Sequence, residues 1–140
     1  MERWVTLAFA SMLFAGFTSV IAKQGLTGIS GELGLAVRTC FVFVFVLGFA
    51  ALRVEHEAYR SLTRSNLLWL GLSGATTAAS WVFYYRALKL GEVSTIALID
   101  KGSFVVAVVL AWLILGERIT LRVVVGSLLI LAGLFVVSRR

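Results

Sequence analysis

The sequence predicts an all-α integral membrane protein with five transmembrane helices, and three observations support this. The chain is 60% hydrophobic and only 14% charged, whereas soluble domains are nearer half apolar and a quarter charged. Its mean hydropathy is +0.99. Its apolar residues form five blocks of about 20 residues, the length that a helix needs to cross the hydrocarbon core. Because lipid cannot pair with backbone polar groups, we expect a helical bundle.

The five predicted spans follow one another with short connections, and we expect residues 1–140 to form one domain. They run roughly Trp4–Ala22, Leu33–Leu52, Leu67–Leu88, Val93–Leu115 and Ile119–Val137. The first span has a charged start like a signal peptide. Its apolar run is longer than the 7–15 residues or so of such a segment, and four more spans follow it, so we interpret it as a retained helix.

The connections between the spans have the composition of turns and interfacial segments. Glycines recur between the first two spans, at Gly25, Gly28, Gly31 and Gly34, which is typical of a turn. The polar stretch "RVEHEAYRSLTRSN" predicts an interfacial segment between spans two and three. The short sequences "KLGE" and "GER" predict tight turns on either side of span four.

The basic balance of the chain does not indicate nucleic-acid binding. The net charge is +6, but the basic residues occur singly between apolar blocks and form no patch. In a membrane protein, such residues usually lie in loops near anionic headgroups. The single cysteine, Cys40, forms no cluster with histidine, so neither a metal nor another cofactor is expected. No motif for nucleophilic catalysis or phosphate binding occurs, and the sequence does not predict an enzyme.

The loop charges give almost no preference for one orientation in the membrane. With five spans, the two termini lie on opposite sides. One side would hold six basic residues, Arg3, Arg53, Arg60, Arg64, Arg118 and Arg122. The other would hold five, Lys23, Arg86, Lys89, Arg139 and Arg140. Orientation depends on asymmetry in these residues, so insertion with a weak bias and insertion both ways are equally compatible with the sequence.

Three charged residues lie well inside predicted spans, away from the span ends, and are the main candidates for a substrate or ion pathway. Arg38 lies about 8 Å into span two, and Asp100 and Lys101 lie about 11 Å into span four, at 1.5 Å per residue. Adjacent helical residues do not face each other, so we expect Asp100 to pair with Arg38 across spans two and four. Buried membrane charges cost about 2.5–3.5 kcal/mol and usually mark a pathway. The alternative is a salt bridge that only holds the two helices together.

Two further pathway candidates are weaker. Ser80 lies in span three near Thr76 and Thr77, and such residues usually bond to their own helix backbone. Tyr84 lies near the end of the same span, where tyrosines commonly anchor a helix at the interface. Arg86, which follows closely, can extend its charge to the headgroups. Small residues four apart, such as Gly71, Ala75 and Ala79, predict close helix contacts.

Several stretches together resemble an EamA-type domain of the drug/metabolite transporter superfamily. "LAVRTCFVFVF" resembles the arginine-bearing start of the family's second helix, and "WVFYYRALKLGEVSTIALI" resembles its turn between helices three and four. "VVLAWLILGERIT" resembles the signature that closes helix four, and "GSLLILAGLFVV" resembles the last helix. The chain departs from the family at "DKGS", where many members have a proline, and it lacks the glutamate that small multidrug transporters carry in helix one.

The resemblance implies a secondary transporter of small metabolites or drug-like compounds in a bacterial or archaeal cytoplasmic membrane. Most members carry two such domains as a ten-helix inverted repeat around a central cavity, and this chain resembles one half. It therefore implies a small-molecule substrate and a dimer, in which a second copy inserted upside down supplies the other half. The alternatives are a non-transporting subunit that pairs with a different membrane protein, and a small channel.

Overall fold

The computed structural model describes residues 3–138, and this part of the chain is almost entirely helical. It contains 87% helix and no strands. The α-helices are α1 (Arg3–Gly25), α2 (Gly31–Arg53), α3 (Arg64–Leu90), α4 (Val93–Asp100), α5 (Ser103–Leu115) and α6 (Leu121–Ser138), and a short 3₁₀ helix spans His56–Ser61 between α2 and α3. The predicted terminal charges Arg139 and Arg140 lie outside the described residues.

Hydroxyl side chains begin three of these helices. The Ser30 Oγ accepts a hydrogen bond from the Leu33 amide at 3.2 Å at the start of α2. Thr63 accepts from the Asn66 amide at 3.2 Å before α3, and Thr120 accepts at 3.4 Å before α6. Each hydroxyl satisfies one of the amide donors that a helix leaves unpaired in its first turn. These local caps place the helix ends within a few residues of the predicted spans.

The apolar helices confirm an all-α membrane protein. Within residues 3–138, three stretches are long and apolar enough to cross a bilayer, namely α1, α2 and the segment Val93–Leu115 that contains α4 and α5. The apolar part of α6, Leu121–Val137, is shorter. Large apolar side chains are exposed along these helices, with Phe14 at 74% and Phe45 at 71%. Such exposure suits a lipid solvent. Helix α3 has 27 residues but is not among these apolar stretches, because it carries more small polar residues. The count of five spans therefore stays a prediction.

By internal contacts the chain divides into two compact units. One consists of Ala22–Leu90, which contains α2 and α3, and the other consists of α1 as far as Ile21 together with the chain from Gly91 onward. The single-domain organisation expected from the sequence stays a prediction.

The unit Ala22–Leu90 is built around an antiparallel pair of α2 and α3. A Cβ added at Gly31 would lie 2.9 Å from the Tyr85 carbonyl oxygen, so the start of α2 touches the backbone of α3 near its end. Arg38, farther along α2, lies beside Trp81, which comes earlier in α3. At the Gly31 end, Leu26, Tyr85 and Leu88 are buried, with exposures of 2%, 4% and 0%.

In the other unit, α4 and α5 are two parts of one apolar segment joined through a tight turn at Lys101 and Gly102. The Lys101 amide bonds to the Leu98 carbonyl at 3.1 Å, and the Gly102 amide bonds to the Ile99 carbonyl at 2.8 Å. Both bonds span three residues instead of four, as in a 3₁₀ helix. Helix α6 packs against this region, because a Cβ at Gly102 would lie 3.3 Å from Leu134 Cδ1. The predicted span Val93–Leu115 is therefore present, with a local break that the sequence analysis did not foresee.

Candidate functional site: a cavity beside Arg38 and a charged helix joint

A cavity of about 520 Å³ lies between α2 and α3. Helix α2 contributes two side chains to its wall, and α3 contributes the rest. The lining residues are Leu35, Thr39, Leu70, Ser73, Gly74, Thr77, Ala78, Trp81 and Val82. Glycine and alanine on α3 leave space there, since a Cβ added at Gly74 would meet nothing within 4 Å. Gly74 and Ala78, another pair of small residues four apart on α3, thus make room for this cavity.

Most of the cavity wall is apolar, and its threonines are already engaged with their own helices. The Thr39 hydroxyl donates to the Leu35 carbonyl at 2.8 Å, and the Thr77 hydroxyl donates to the Ser73 carbonyl at 2.8 Å. Each hydroxyl oxygen keeps lone pairs that can accept a hydrogen bond from a ligand. The wall therefore offers acceptors from both helices against an apolar background.

Arg38 does not line this cavity but contacts Trp81, one of the residues that do. Its guanidinium carbon is 4.4 Å from the centroid of the Trp81 ring and 5.8 Å from that of Tyr85. Both distances fit cation–π contacts. The arginine is half-buried, and its Nη1 is buried without a hydrogen-bond partner in the described structure. None of the predicted pathway residues lines the cavity, and Arg38 is the one that has a cation–π contact with a lining residue, Trp81.

Ser80 and Tyr84 lie on α3 but outside the cavity lining. Ser80 is exposed. Tyr84 is half-buried, and its ring stands edge-on to that of Tyr85 with the centroids 6.4 Å apart. Their proposed role in a pathway stays a prediction. Trp81, one residue after Ser80, is the pathway candidate that sequence reasoning missed, although its position four residues before Tyr85 places both rings on one face of α3.

Polar contacts join the α1–α2 turn to the end of α3. The Lys23 Nζ donates to the Leu88 carbonyl, and the Lys89 Nζ donates to the Leu26 carbonyl at 3.0 Å. Each lysine thus satisfies a carbonyl near the end of the other helix, where the last four carbonyls have no intrahelical partner. This mutual capping fixes the turn against α3 and positions the start of α2.

An ion pair that the sequence analysis missed lies at the same end. Arg86 Nε is 2.8 Å from Glu32 Oε1, and the two side chains are 58% and 56% exposed. We expected Arg86 to extend toward the headgroups, but it also has a partner on α2. The antiparallel pairing could have indicated it, because an acid in the first turn of α2 then faces a base in the last turns of α3. At this exposure, solvent screening leaves the pair only a small contribution to stability.

Asp100 and Lys101 lie at the break between α4 and α5. Lys101 Nζ is 4.0 Å from Asp100 Oδ2, and the two side chains are 55% and 41% exposed. The expectation that these neighbours would not face each other was too strict, since the long lysine side chain reaches the outer limit of an ion pair. Arg38 and Asp100 belong to different units, so their predicted pairing stays a prediction. In residues 3–138, no group of three or more His, Cys, Asp or Glu is placed to hold a metal.

Comparison with known proteins gives the family. The family model described as the EamA-like transporter family matches residues 2–139. A protein of Sinorhizobium sp. named "Uncharacterized transporter in cobO 3'region" is 33% identical over 132 residues, which cover 94% of each chain. No solved structure matches the chain significantly. The family match extends over nearly the whole sequence, and the chain belongs to the EamA-like transporter family.

Proposed function

We propose that the chain is a secondary transporter that moves small metabolites or drug-like compounds across a bacterial or archaeal cytoplasmic membrane. The observation that carries this proposal is the cavity between α2 and α3, one of whose lining residues, Trp81, contacts the half-buried Arg38. A volume of about 520 Å³ falls in the range of small-molecule sites, roughly 300–1,000 Å³. Charges inside apolar helices usually serve a substrate or ion pathway. The transporter name of the Sinorhizobium relative supports the same function.

The working unit that we propose is a dimer with five spans from each chain. Alternating access in many transporters uses two repeats that move against each other around a shared site. One chain of 140 residues would supply one repeat, and a second copy would supply the other. A ten-helix arrangement with inverted symmetry would result if the two copies insert in opposite orientations.

The joint at Lys101 and Gly102 supports a transporter further. Transporter sites commonly lie at irregularities in membrane helices, and at this joint the backbone stays hydrogen-bonded through three-residue contacts. Here the break carries Asp100 and Lys101, the two embedded charges of α4 and its C-terminal end. A static helical subunit has no evident need for two costly charges at a helix break.

Flux measurements with purified protein in liposomes test the proposal. Liposomes would be preloaded with unlabelled carboxylates, amines or neutral metabolites, and the entry of the same labelled solute would be followed. A transporter gives saturable entry that is accelerated by solute on the opposite side. Entry that rises linearly with concentration, without such acceleration, would instead identify a channel. If no solute enters, and a second membrane protein copurifies in fixed stoichiometry, the chain is a non-transporting subunit.

A further inference from the structure

Arg38 is a cation that has no carboxylate partner within its own unit, Ala22–Leu90. Arg86, near the end of α3 in the same unit, pairs with Glu32, whereas no carboxylate of residues 22–90 pairs with Arg38. Its Nη1 is buried and makes no hydrogen bond within the described structure. A buried donor without an acceptor is destabilising, and a charged one in an apolar helix pair is more so. Such a group in a folded protein therefore needs an explanation.

The aromatic rings around Arg38 indicate the charge of the ligand that can bind there. The faces of Trp81 and Tyr85 are already directed to the guanidinium, at 4.4 and 5.8 Å. A cationic ligand at this place would compete for the same rings and would be repelled by the arginine. An anion would be attracted by the arginine and would leave both ring contacts in place.

The side chains of the cavity wall indicate the polarity of the rest of the ligand. Arg38 lies in sequence next to the lining residue Thr39, and Trp81 both lines the cavity and holds the guanidinium. The Thr39 and Thr77 hydroxyls donate to their own helices, so they provide no free proton for an anion. The guanidinium thus supplies the charged donor, the Ser73 hydroxyl on the same wall is a neutral one, and the apolar wall suits an apolar body.

We infer that the Arg38–Trp81 edge of the cavity binds the carboxylate of an organic anion whose apolar body lies between α2 and α3. This inference rests on the proposed transport function and names its substrate class. The planar guanidinium suits a carboxylate because it can form two parallel hydrogen bonds with the two oxygens. The bound carboxylate also supplies the acceptor and counter-charge that Arg38 lacks in its own unit.

Binding to purified full-length protein in nanodiscs tests the inference. The probes are 3-phenylpropionate, its neutral amide and the cation 3-phenylpropylamine, which share one apolar body. We expect the carboxylate to raise the melting temperature in a saturable way and the amide to bind at least about tenfold more weakly. The amine should give no saturable shift. Equal binding of the carboxylate and its amide to the wild type would overturn the inference.

Variants of the arginine locate the binding. Arg38→Gln should lose carboxylate binding, and Arg38→Lys should weaken it because a lysine keeps the charge but not the planar fork. Arg64→Gln removes one exposed cation from the start of α3 and should leave binding unchanged. If Arg38→Gln does not fold, the comparison of Arg38→Lys with Arg64→Gln remains decisive. If Arg38→Gln and Arg38→Lys both bind the carboxylate as strongly as the wild type, the site lies elsewhere.

A lipid headgroup is the other source of an anion, and the membrane composition separates the two. Nanodiscs of phosphatidylcholine alone should support full binding of 3-phenylpropionate. If phosphatidylglycerol gives Arg38-dependent stabilisation and the carboxylate adds nothing, the ligand is a lipid and the inference of a soluble substrate fails. Saturable transport of amines without carboxylate binding would leave the transport function standing and overturn this inference. Carboxylate binding without any flux would do the reverse.

Discussion

The charged residues of this chain differ in what surrounds them, and their surroundings determine what each can do. Arg86 and Glu32 form a close pair that is more than half exposed, and screening makes such pairs weak. Asp100 and Lys101 are separated by 4.0 Å, which is the loosest pairing that still counts as ionic. Arg38 has aromatic rings in place of a carboxylate. Arg38 and the Asp100–Lys101 pair can therefore bind a substrate or ion more readily than the closely paired Arg86 and Glu32.

We expect transport to depend on Asp100 or Lys101 more than on Arg86. Asp100→Asn or Lys101→Gln should reduce solute counterflow by at least about tenfold, because an embedded charge costs free energy that function has to justify. Arg86→Gln removes one weak exposed pair and should retain most of the flux. The measurement is the initial counterflow rate in liposomes at equal protein content. Full activity of both Asp100→Asn and Lys101→Gln would refute the prediction.

At the scale of helices, the close approach of α2 and α3 depends on glycine. A Cβ at Gly31 would lie 2.9 Å from the Tyr85 carbonyl oxygen, whereas a Cβ at Gly34 would meet the end of the flexible Leu26 side chain. A side chain can move aside, but a helix backbone carbonyl moves only if the helix does. Gly31 is therefore the stricter of the two positions, and it determines how near the helices lie beside Arg38 and the cavity.

Replacing Gly31 with alanine should destabilise the protein by about 1–3 kcal/mol, the usual effect of overpacking. Gly48→Ala on the same helix is the matched control, because a Cβ there would meet nothing within 4 Å. Alanine should be neutral at Gly48, or stabilising by up to about 1 kcal/mol through its helix propensity. The midpoints of thermal unfolding of the two variants in one detergent give the comparison. Equal midpoints would show that α2 and α3 do not approach as closely as described.

The helices were predictable from the sequence, whereas the contacts between them were mostly not. Hydropathy and hydroxyl caps act over a few residues, so the ends of α2 and α6 could be placed within a few residues. The Glu32–Arg86 pair and the Arg38–Trp81 contact depend on which face of α2 meets α3. The helical period of apolar residues cannot identify that face in a helix in which nearly every position is apolar. The joint at Lys101 and Gly102 was missed because it is slight. Both residues keep right-handed helical angles, with φ of −64° and −60°, so the joint requires no special residue that the sequence would reveal.

At the scale of the whole molecule, several helices present open faces that contain small residues. Glycines on three helices have space around them, since a Cβ added at Gly16, Gly71 or Gly133 would meet nothing within 4 Å. Small residues let membrane helices approach each other closely. A second copy of the chain is the partner that the proposed dimer provides for such faces. Its orientation depends on the loop charges.

We expect the chain to insert in both orientations and to work as an antiparallel homodimer. Six basic residues on one side against five on the other give the insertion machinery little to choose by. The three arginines from the end of α2 to the start of α3, Arg53, Arg60 and Arg64, are the strongest opposing influence. If they alone keep their side in the cytoplasm, the partner is a different chain, or the homodimer is parallel.

A compartment-sensitive reporter fused after Arg140 measures the orientation. A dual-orientation chain gives signal from both sides of the membrane, and essentially all molecules in a single orientation would rule out dual insertion. Two lysines added after Arg140 provide the matched perturbation. In a balanced chain they should shift most molecules to a cytoplasmic C-terminus, because the positive-inside rule responds to small changes near balance. In a chain that its central loop already orients, the same two lysines should leave the distribution unchanged.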